Sequence, residues 1–155
     1  MSWLTNQQLE KAILQYVDID TKKAFLGVFP LDKLPTVIKR YPVLLIVNTH
    51  PSNLGGEHWF AIFISKLRYG EIFDSAAQPI DLRVRKWLNV FTNGWKRNEL
   101  MFQSLFSSLC GAYVLYYVLN RLRYSSMHQL LFPKQRINDL FIRNWYHKLT
   151  SKKKL

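Results

Sequence analysis

The longest apolar run of the chain, Leu109 to Leu119, limits what these 155 residues can fold into. Its 11 residues are too few to cross a bilayer, which takes roughly 20. As a helix reaching about Leu122 it would be apolar on nearly every side, so other elements must cover it. An apolar fraction of 48% can supply that cover within one domain, residues 1–155. We therefore expect a single domain built around a buried helix.

Two runs rich in β-branched and aromatic residues predict strands ahead of that helix. Val43 to Val47 has no polar residue and indicates a buried strand. Trp59 to Ile64 is a second strand, and after Lys66 to Arg68 the chain returns through Glu71 to Asp74. We expect these last segments to form an antiparallel hairpin.

Helical periodicity surrounds the predicted strands. A capping box at Thr5 opens a helix that ends near Tyr16, and Ile80 to Val90 has the spacing of a surface helix. A basic amphipathic helix, Ile137 to Leu149, closes the chain. Phe25 to Tyr41 is expected to be irregular because it contains a glycine and two prolines. This order predicts an α+β fold with a mixed, mostly antiparallel sheet packed against helices.

The single cysteine lies where a serine-containing loop enters the apolar helix. Ser107 or Ser108 can serve as N-cap, which places Cys110 in the first turn. The positive end of the helix dipole favours a thiolate there, and Gly111 lets another group approach closely. One cysteine excludes an internal disulfide and a thiolate metal cluster, and we expect no metal. Cys110 is thus a candidate nucleophile, with a buried structural cysteine as the alternative.

The predicted hairpin brings His58 and Asp74 to one face. If its turn has three residues, Asp74 lies opposite Phe60, which is two residues from His58. The two side chains are then diagonal neighbours, about 7–8 Å apart at the backbone, a gap they can bridge. The carboxylate could hold the imidazole in one tautomer, as in a catalytic triad. A polar strand cap at His58 and an ordinary turn at Asp74–Ser75 are the simpler interpretations.

Two further residues are candidates for contact with a substrate. Gln103 lies seven residues before Cys110, a spacing that lets a loop bring its amide beside the sulfur. Taken alone, such a residue is usually an exposed polar side chain. Trp59 is expected to pack in the core and can also form a wall beside the imidazole.

Basic residues are concentrated toward the C-terminus. The net charge is +12, and the segment from Arg121 onward holds nine lysines and arginines against one acid, Asp139. Such a field favours a polyanionic partner, most simply DNA, and a solubilising surface is an equal alternative. The predicted DNA-binding residues are Arg136, Arg143, Lys148, Lys152, Lys153 and Lys154.

These residues together resemble the adenovirus-type cysteine protease (adenain) family, which includes relatives encoded by DNA transposons of the Maverick or Polinton kind. The shared pattern is Gly-Gly-x-His-Trp, an acid 16 residues after the histidine, and a glutamine seven residues before Cys-Gly. The matching segments are Ile46–Thr49, Gly55–Trp59, Phe73–Asp74, Gln103 and Ser107–Gly111. The resemblance spans nearly the whole chain and implies a papain-like fold with the permuted order His, acid, Gln, Cys.

The resemblance also implies a role for each residue of the pattern. The family's base, acid, nucleophile and oxyanion-hole side chain are matched by His58, Asp74, Cys110 and Gln103. Gly55 and Gly56 match a segment that lines the substrate cleft, which implies small residues near the cleaved bond. The expected activity is that of a cysteine endopeptidase.

The family matures capsid and core precursors inside virions, assisted by DNA and a short basic peptide. We therefore expect viral precursor polypeptides as substrates and a location in the virion and the host nucleus. The first residues have neither a basic nor an apolar signal segment and the apolar runs are short, so we also expect no secretory signal and no contact with a membrane. Adenovirus enzymes hold their peptide by a disulfide, but the matching stretch here, about Thr92 to Phe102, has no cysteine. Any activating peptide is thus expected to bind non-covalently, as a strand added to an exposed sheet edge.

The chain departs from the family pattern at its acid, and two other functions stay open. The acid is aspartate here, whereas adenoviruses commonly have glutamate. Deconjugating peptidases for ubiquitin-like proteins share the fold and catalytic order, but usually place aspartate directly before Cys-Gly, where this chain has Leu109. A basic DNA-binding packaging protein with a vestigial protease site is a further alternative, although a binding protein has no need of all four residues.

Overall fold

The computed structural model describes residues 4–49, 58–104 and 107–151. The helices and strands in chain order are α1 (Asn6–Tyr16), α2 (Ile19–Ala24), β1 (Phe25–Pro30), β2 (Val43–Asn48), β3 (Trp59–Ile64), β4 (Tyr69–Phe73), α3 (Leu82–Phe91), β5 (Gly94–Arg97), α4 (Cys110–Asn120) and α5 (Gln135–Ser151). Short 3-10 turns at Arg121–Arg123 and Met127–Gln129 connect the last two helices. The predicted α+β class is confirmed.

The five strands form one mixed sheet in the order β1-β2-β3-β4-β5. The pairs β2–β3 and β3–β4 are antiparallel, whereas β1–β2 and β4–β5 are parallel. The predicted mixed sheet is confirmed, with its antiparallel pairs at the centre and a parallel pair at each edge. A parallel pair depends on a long crossover connection, which the residue pattern within a single strand does not reveal.

The segment that was expected to be irregular contains the edge strand β1. Gly27 has a φ of 137° and lies where the register with β2 shifts after Phe25. Glycine adopts that φ without steric cost, and a proline such as Pro30 is tolerated at a sheet edge. Gly27 and Pro30, which predicted an irregular segment, are thus residues that an edge strand with a register shift can accommodate.

The two faces of the sheet cover separate cores. Leu44 and Phe73 face the core formed with α1 and α4, while Leu45 and Ile72 face the core formed with α3. All residues from Cys110 to Leu119 are buried. The predicted buried helix is therefore confirmed, and it packs on the sheet between α1 and α5.

The other predicted helices are confirmed with small shifts at their ends. In α1 the capping box is complete, because Thr5 Oγ1 accepts from Gln8 N at 3.1 Å and Gln8 Oε1 accepts from Thr5 N at 2.8 Å. Asp81 caps α3 by accepting from the backbone N–H of Arg83 at 2.8 Å. The basic helix α5 is longer than expected and begins at Gln135.

Candidate active site

The β3–β4 hairpin ends in a hydrogen bond between His58 and Asp74. The strands pair Ala61 with Phe73, which is the register that a three-residue turn predicts. His58 directly precedes β3 and Asp74 directly follows β4, so the two lie at the same end of the sheet. His58 Nε2 is 2.7 Å from Asp74 Oδ1, and the residues are only 8% and 4% exposed. The contact predicted from the hairpin is confirmed.

Surrounding main-chain groups and Asn98 hold the Asp74 carboxylate in place. The carboxylate accepts from the backbone N–H groups of Ala76 at 2.9 Å and Gln78 at 3.1 Å. The Asn98 side chain accepts from the Asp74 N–H at 2.9 Å and donates to its carbonyl at 2.6 Å. An ionised acceptor with several donors around it has little freedom to turn away from the imidazole.

Cys110 is the first residue of α4 and lies against the imidazole. Its side chain is buried and forms a hydrogen bond with His58. Because Asp74 is bonded to Nε2, the other imidazole nitrogen, Nδ1, is the one that can exchange a proton with the sulfur. The first turn of the helix adds positive potential at this position, which favours an anionic sulfur.

The predicted serine cap of α4 is wrong. Leu109 is the N-cap residue and has no side-chain capping bond, whereas Ser107 Oγ accepts from Leu109 N at 3.2 Å. Ser107 thus stabilises the loop ahead of the helix. Gly111 does allow a close approach, but the neighbour is Leu4, whose Cδ1 would lie 3.1 Å from an added Cβ. The absence of a side chain at Gly111 therefore allows Leu4 of the N-terminal segment to pack against α4.

The surroundings of His58 keep its imidazole charged. Burial lowers the pKa of His58, but the hydrogen bonds and electrostatic interactions with Asp74 and Cys110 outweigh it and raise the pKa to about 9. The ordinary value for histidine is about 6.5, so His58 is protonated at neutral pH. A protonated imidazole beside a sulfur can give a proton to a leaving group.

Gln103 is buried with both ends of its amide hydrogen-bonded. Ser75 Oγ donates to Gln103 Oε1 at 2.5 Å, and Gln103 Nε2 donates to Ser107 O at 3.2 Å. If the Gln103 amide were turned over, its oxygen would face the carbonyl oxygen of Ser107, and neither atom could donate a hydrogen bond. The amide nitrogen therefore faces the loop before Cys110. Ser107 uses one of the two N–H bonds of the amide, and the second can donate to the oxygen of a bound carbonyl.

Distant elements hold the loop that carries Gln103. The carbonyl of Ser75 accepts from the backbone N–H groups of Phe102 and Gln103 at 2.8 and 3.0 Å. From α5, the Asn138 side chain donates to Phe102 O at 3.1 Å. The sequence indicated Ser75 only as part of a turn, and the role of Asn138 carries no local signal because its partner lies 36 residues away.

Asp139 holds the same loop from a second position on α5. Its carboxylate accepts from Ser104 N at 3.2 Å and from the Tyr113 hydroxyl at 2.6 Å. Burial, the hydrogen bond to Asp139 and the charge of that residue raise the pKa of Tyr113 above its usual range, so the hydroxyl stays a donor. Asp139 is the single acid of the basic C-terminal segment, and that isolation is a signal that could have marked it.

Trp59 packs in the core. The residue is 2% exposed, and its indole N–H donates to Asn6 Oδ1 at 2.7 Å. The predicted packing role is confirmed, and this burial argues against the predicted contact with substrate. Gly55 and Gly56, the other two predicted substrate contacts, lie outside the described residues.

The residues predicted to bind DNA are only partly described. Arg136, Arg143 and Lys148 are exposed on α5, whereas Lys152, Lys153 and Lys154 lie outside the described residues. Among the residues that the structure describes, no group of three His, Cys, Asp or Glu side chains could hold a metal ion. Within the same part of the chain, every helix is too short or too polar to cross a bilayer.

The fold is similar to that of a protease of known structure. Two crystal structures of the ASFV pS273R protease, one with selenomethionine, match the chain with TM-scores of 0.63 and 0.61 at 18% and 19% sequence identity. Each match covers 88% of this chain but only 64% and 65% of that protein, so the chain spans less than two thirds of its length. No family model and no curated protein matches the sequence. The likeness confirms the predicted papain-like fold.

Proposed function

We propose that the chain is a cysteine endopeptidase with Cys110 as nucleophile, His58 as general acid and base, Asp74 as the residue that orients His58, and Gln103 in the oxyanion hole. The observation that carries this proposal is the continuous hydrogen-bonded series from Asp74 through His58 to Cys110 at the start of α4. A protein that only binds a partner gains nothing from three reactive groups buried in contact. The likeness in fold to the ASFV protease supports the same assignment.

Acylation begins when the Cys110 thiolate attacks the carbonyl carbon of the peptide bond. A C–S bond forms, and the carbonyl π electrons move onto the oxygen. The second N–H of the Gln103 amide stabilises that negative charge, together with the Cys110 backbone N–H, which lies outside the helical hydrogen-bond ladder. Both donors are fixed before the substrate arrives, so the stabilisation costs little reorganisation.

His58 completes both halves of the reaction. Its Nδ1 proton passes to the amide nitrogen as the C–N bond breaks, and the amine leaves a thioester on Cys110. The neutral imidazole then takes a proton from water, whose oxygen attacks the thioester and releases the acid and the thiolate. Asp74 stays bonded to Nε2 throughout, so Nδ1 keeps facing the sulfur.

The proposed biological role is the maturation of viral precursor polypeptides in the virion and the host nucleus. It rests on the resemblance of the sequence pattern to adenain-type enzymes. Gly55 and Gly56 match the cleft segment of those enzymes, which favours substrates with small residues near the cleaved bond.

A non-covalent activating peptide is part of the same proposal. The described sheet ends in β1 on one side and β5 on the other. Strand β5 lies within the stretch that carries the linking cysteine in adenovirus enzymes. A peptide paired with the outer edge of β5 would bind through main-chain hydrogen bonds and need no disulfide.

DNA is a second proposed activator, supported by charge alone. The net charge of +12 attracts a polyanion over distances of about a Debye length, roughly 10 Å at 0.1 M salt. The proposed contacts at the C-terminal end of the chain are Lys148, Lys152, Lys153 and Lys154.

The test is cleavage of a fluorogenic peptide by the purified protein in excess reductant. Cys110→Ala should abolish turnover without changing the circular dichroism spectrum or the unfolding midpoint. Cys110→Ser is the matched control, because it keeps a hydrogen-bonding group beside His58 but offers a far weaker nucleophile. It should be inactive too. Turnover retained by Cys110→Ala would rule out the proposed nucleophile.

A further inference from the structure

A polar groove of about 520 Å³ lies directly beside the start of α4. One wall is the loop that leads into Cys110, and the other is the first half of α5. The lining residues that matter here are Ser107, Ser108, Leu109, Arg136, Asp139 and Arg143. Leu109 immediately precedes the nucleophile, so the groove begins one residue away from Cys110 along the chain.

The groove carries an excess of positive charge. Arg136 and Arg143 are seven residues apart on α5, which is about two turns, so both guanidinium groups lie on the same side of the helix. Both are exposed, and neither has an acidic partner among the described residues. Asp139 already accepts hydrogen bonds from Tyr113 and Ser104, so its carboxylate is committed to the protein.

We propose that this groove binds an acidic side chain of the substrate and so contributes to the choice of cleavage site. The inference rests on the proposed peptidase function. An extended peptide advances about 3.3 Å per residue, so a groove adjoining Leu109 is reached by a residue within a few positions of the cleaved bond. The forked guanidinium groups of Arg136 and Arg143 match a carboxylate, and the serine hydroxyls of the opposite wall can donate to it.

The same two arginines were predicted from the sequence to bind DNA. Their position favours a peptide, because they lie in a groove together with the Asp139 carboxylate, which repels the continuous phosphate charge of a duplex. A single substrate carboxylate can instead pair with one guanidinium group on the side away from Asp139, whereas a duplex presents many phosphates at once. DNA contact at this groove is therefore a competing outcome of the experiment.

The experiment measures binding to the inactive Cys110→Ala protein by fluorescence anisotropy. The probes are octapeptides with a central Gly-Gly. Each carries a single glutamate at one of the remaining positions, and a matched peptide with glutamine at that position is its neutral control. At one or two positions, glutamate should improve affinity roughly tenfold over glutamine, and added salt should reduce the gain. The double variant Arg136→Gln/Arg143→Gln should abolish it.

The matched control is Lys39→Gln/Arg40→Gln, which removes two positive charges from the exposed segment between β1 and β2. The preference for glutamate should survive there. Equal affinity of all peptides, or an equal loss in both double variants, would overturn the inference. A second result would also overturn it. In this result the Arg136/Arg143 double variant keeps its peptide affinities, but for a 20-base-pair duplex the slope of log K against log salt concentration becomes about two units shallower.

These outcomes are separable from failure of the proposed function. Cleavage by the wild-type protein with no preference for an acid would contradict the groove alone. Preference for glutamate in binding, without cleavage of any peptide in the set by the wild-type protein, would contradict the peptidase assignment alone.

Discussion

The two halves of the candidate site are built in different ways. His58 and Asp74 belong to one hairpin, and their contact spans 16 residues of the chain. Gln103 lies in a loop that is held by Ser75, 28 residues away, and by residues of α5 some 35 residues further along. The acid–base contact is thus made within one hairpin, with Asn98 as an additional support of Asp74, whereas the oxyanion donor depends mainly on the assembled fold. Substitutions in the two regions should therefore differ in size and in kind.

The largest effect is expected in the hairpin. Asp74→Asn should lower kcat/KM by roughly 10³–10⁴, because the neutral amide no longer supports the charged imidazole and can hold it in the wrong tautomer. The control is Asp81→Asn, which keeps a good N-cap for α3 and should leave activity near the wild-type level. Steady-state peptide cleavage by folded protein is the measurement. Similar losses in both variants would mean that the Asp74–His58 bond has no special role.

A smaller loss is expected when the oxyanion donor itself is removed. Gln103→Ala should lower kcat by roughly 10²–10³ with little change in KM, because the donor acts mainly on the charge that develops in the transition state. The control is Gln7→Ala, which removes the same amide from the exposed face of α1. A near-normal kcat for Gln103→Ala would mean that Gln103 has only a structural role and donates nothing to the oxyanion.

What the sequence could predict follows the same division. The hairpin register, the buried helix and the capping box of α1 depend on neighbours in the chain, and residue alternation and spacing revealed all three. The edge strand β1 was missed because Gly27 and Pro30 resemble breakers unless the parallel partner β2 is known. Gln103 was indicated by its spacing from Cys110, but its supports were not.

The residues that support the site could not be predicted from the sequence, because their partners are distant in the chain or their local pattern indicates another role. Ser75 looks like an ordinary turn residue until its hydroxyl is seen on the Gln103 amide. Asn98 holds Asp74 across 24 residues, and no periodicity connects the two. The N-cap of α4 was misassigned because serine is a good cap in general, whereas here Ser107 bonds to the loop N–H of Leu109 instead.

The smallest effect on rate should come from the support of the oxyanion donor. Ser75→Ala leaves the Oε1 atom of Gln103 without its donor and should lower kcat about tenfold, with KM unchanged. Ser75 is a positioning residue that acts through Gln103, so the double variant Ser75→Ala/Gln103→Ala should be no slower than Gln103→Ala. A fully additive loss in this double-mutant cycle would show that Ser75 acts by another route.

The pH dependence of Cys110 alkylation by iodoacetamide shows whether Cys110 and His58 act as a nucleophile–imidazole pair. The pKa of His58 is raised to about 9, so the imidazolium persists up to that pH and stabilises the thiolate beside it. The alkylation rate of the wild-type protein at pH 6 should therefore exceed that of the His58→Gln variant at least tenfold. In that variant the rate should rise with pH as it does for an isolated thiol. Wild-type and His58→Gln profiles that coincide would contradict the proposed nucleophile–imidazole pair.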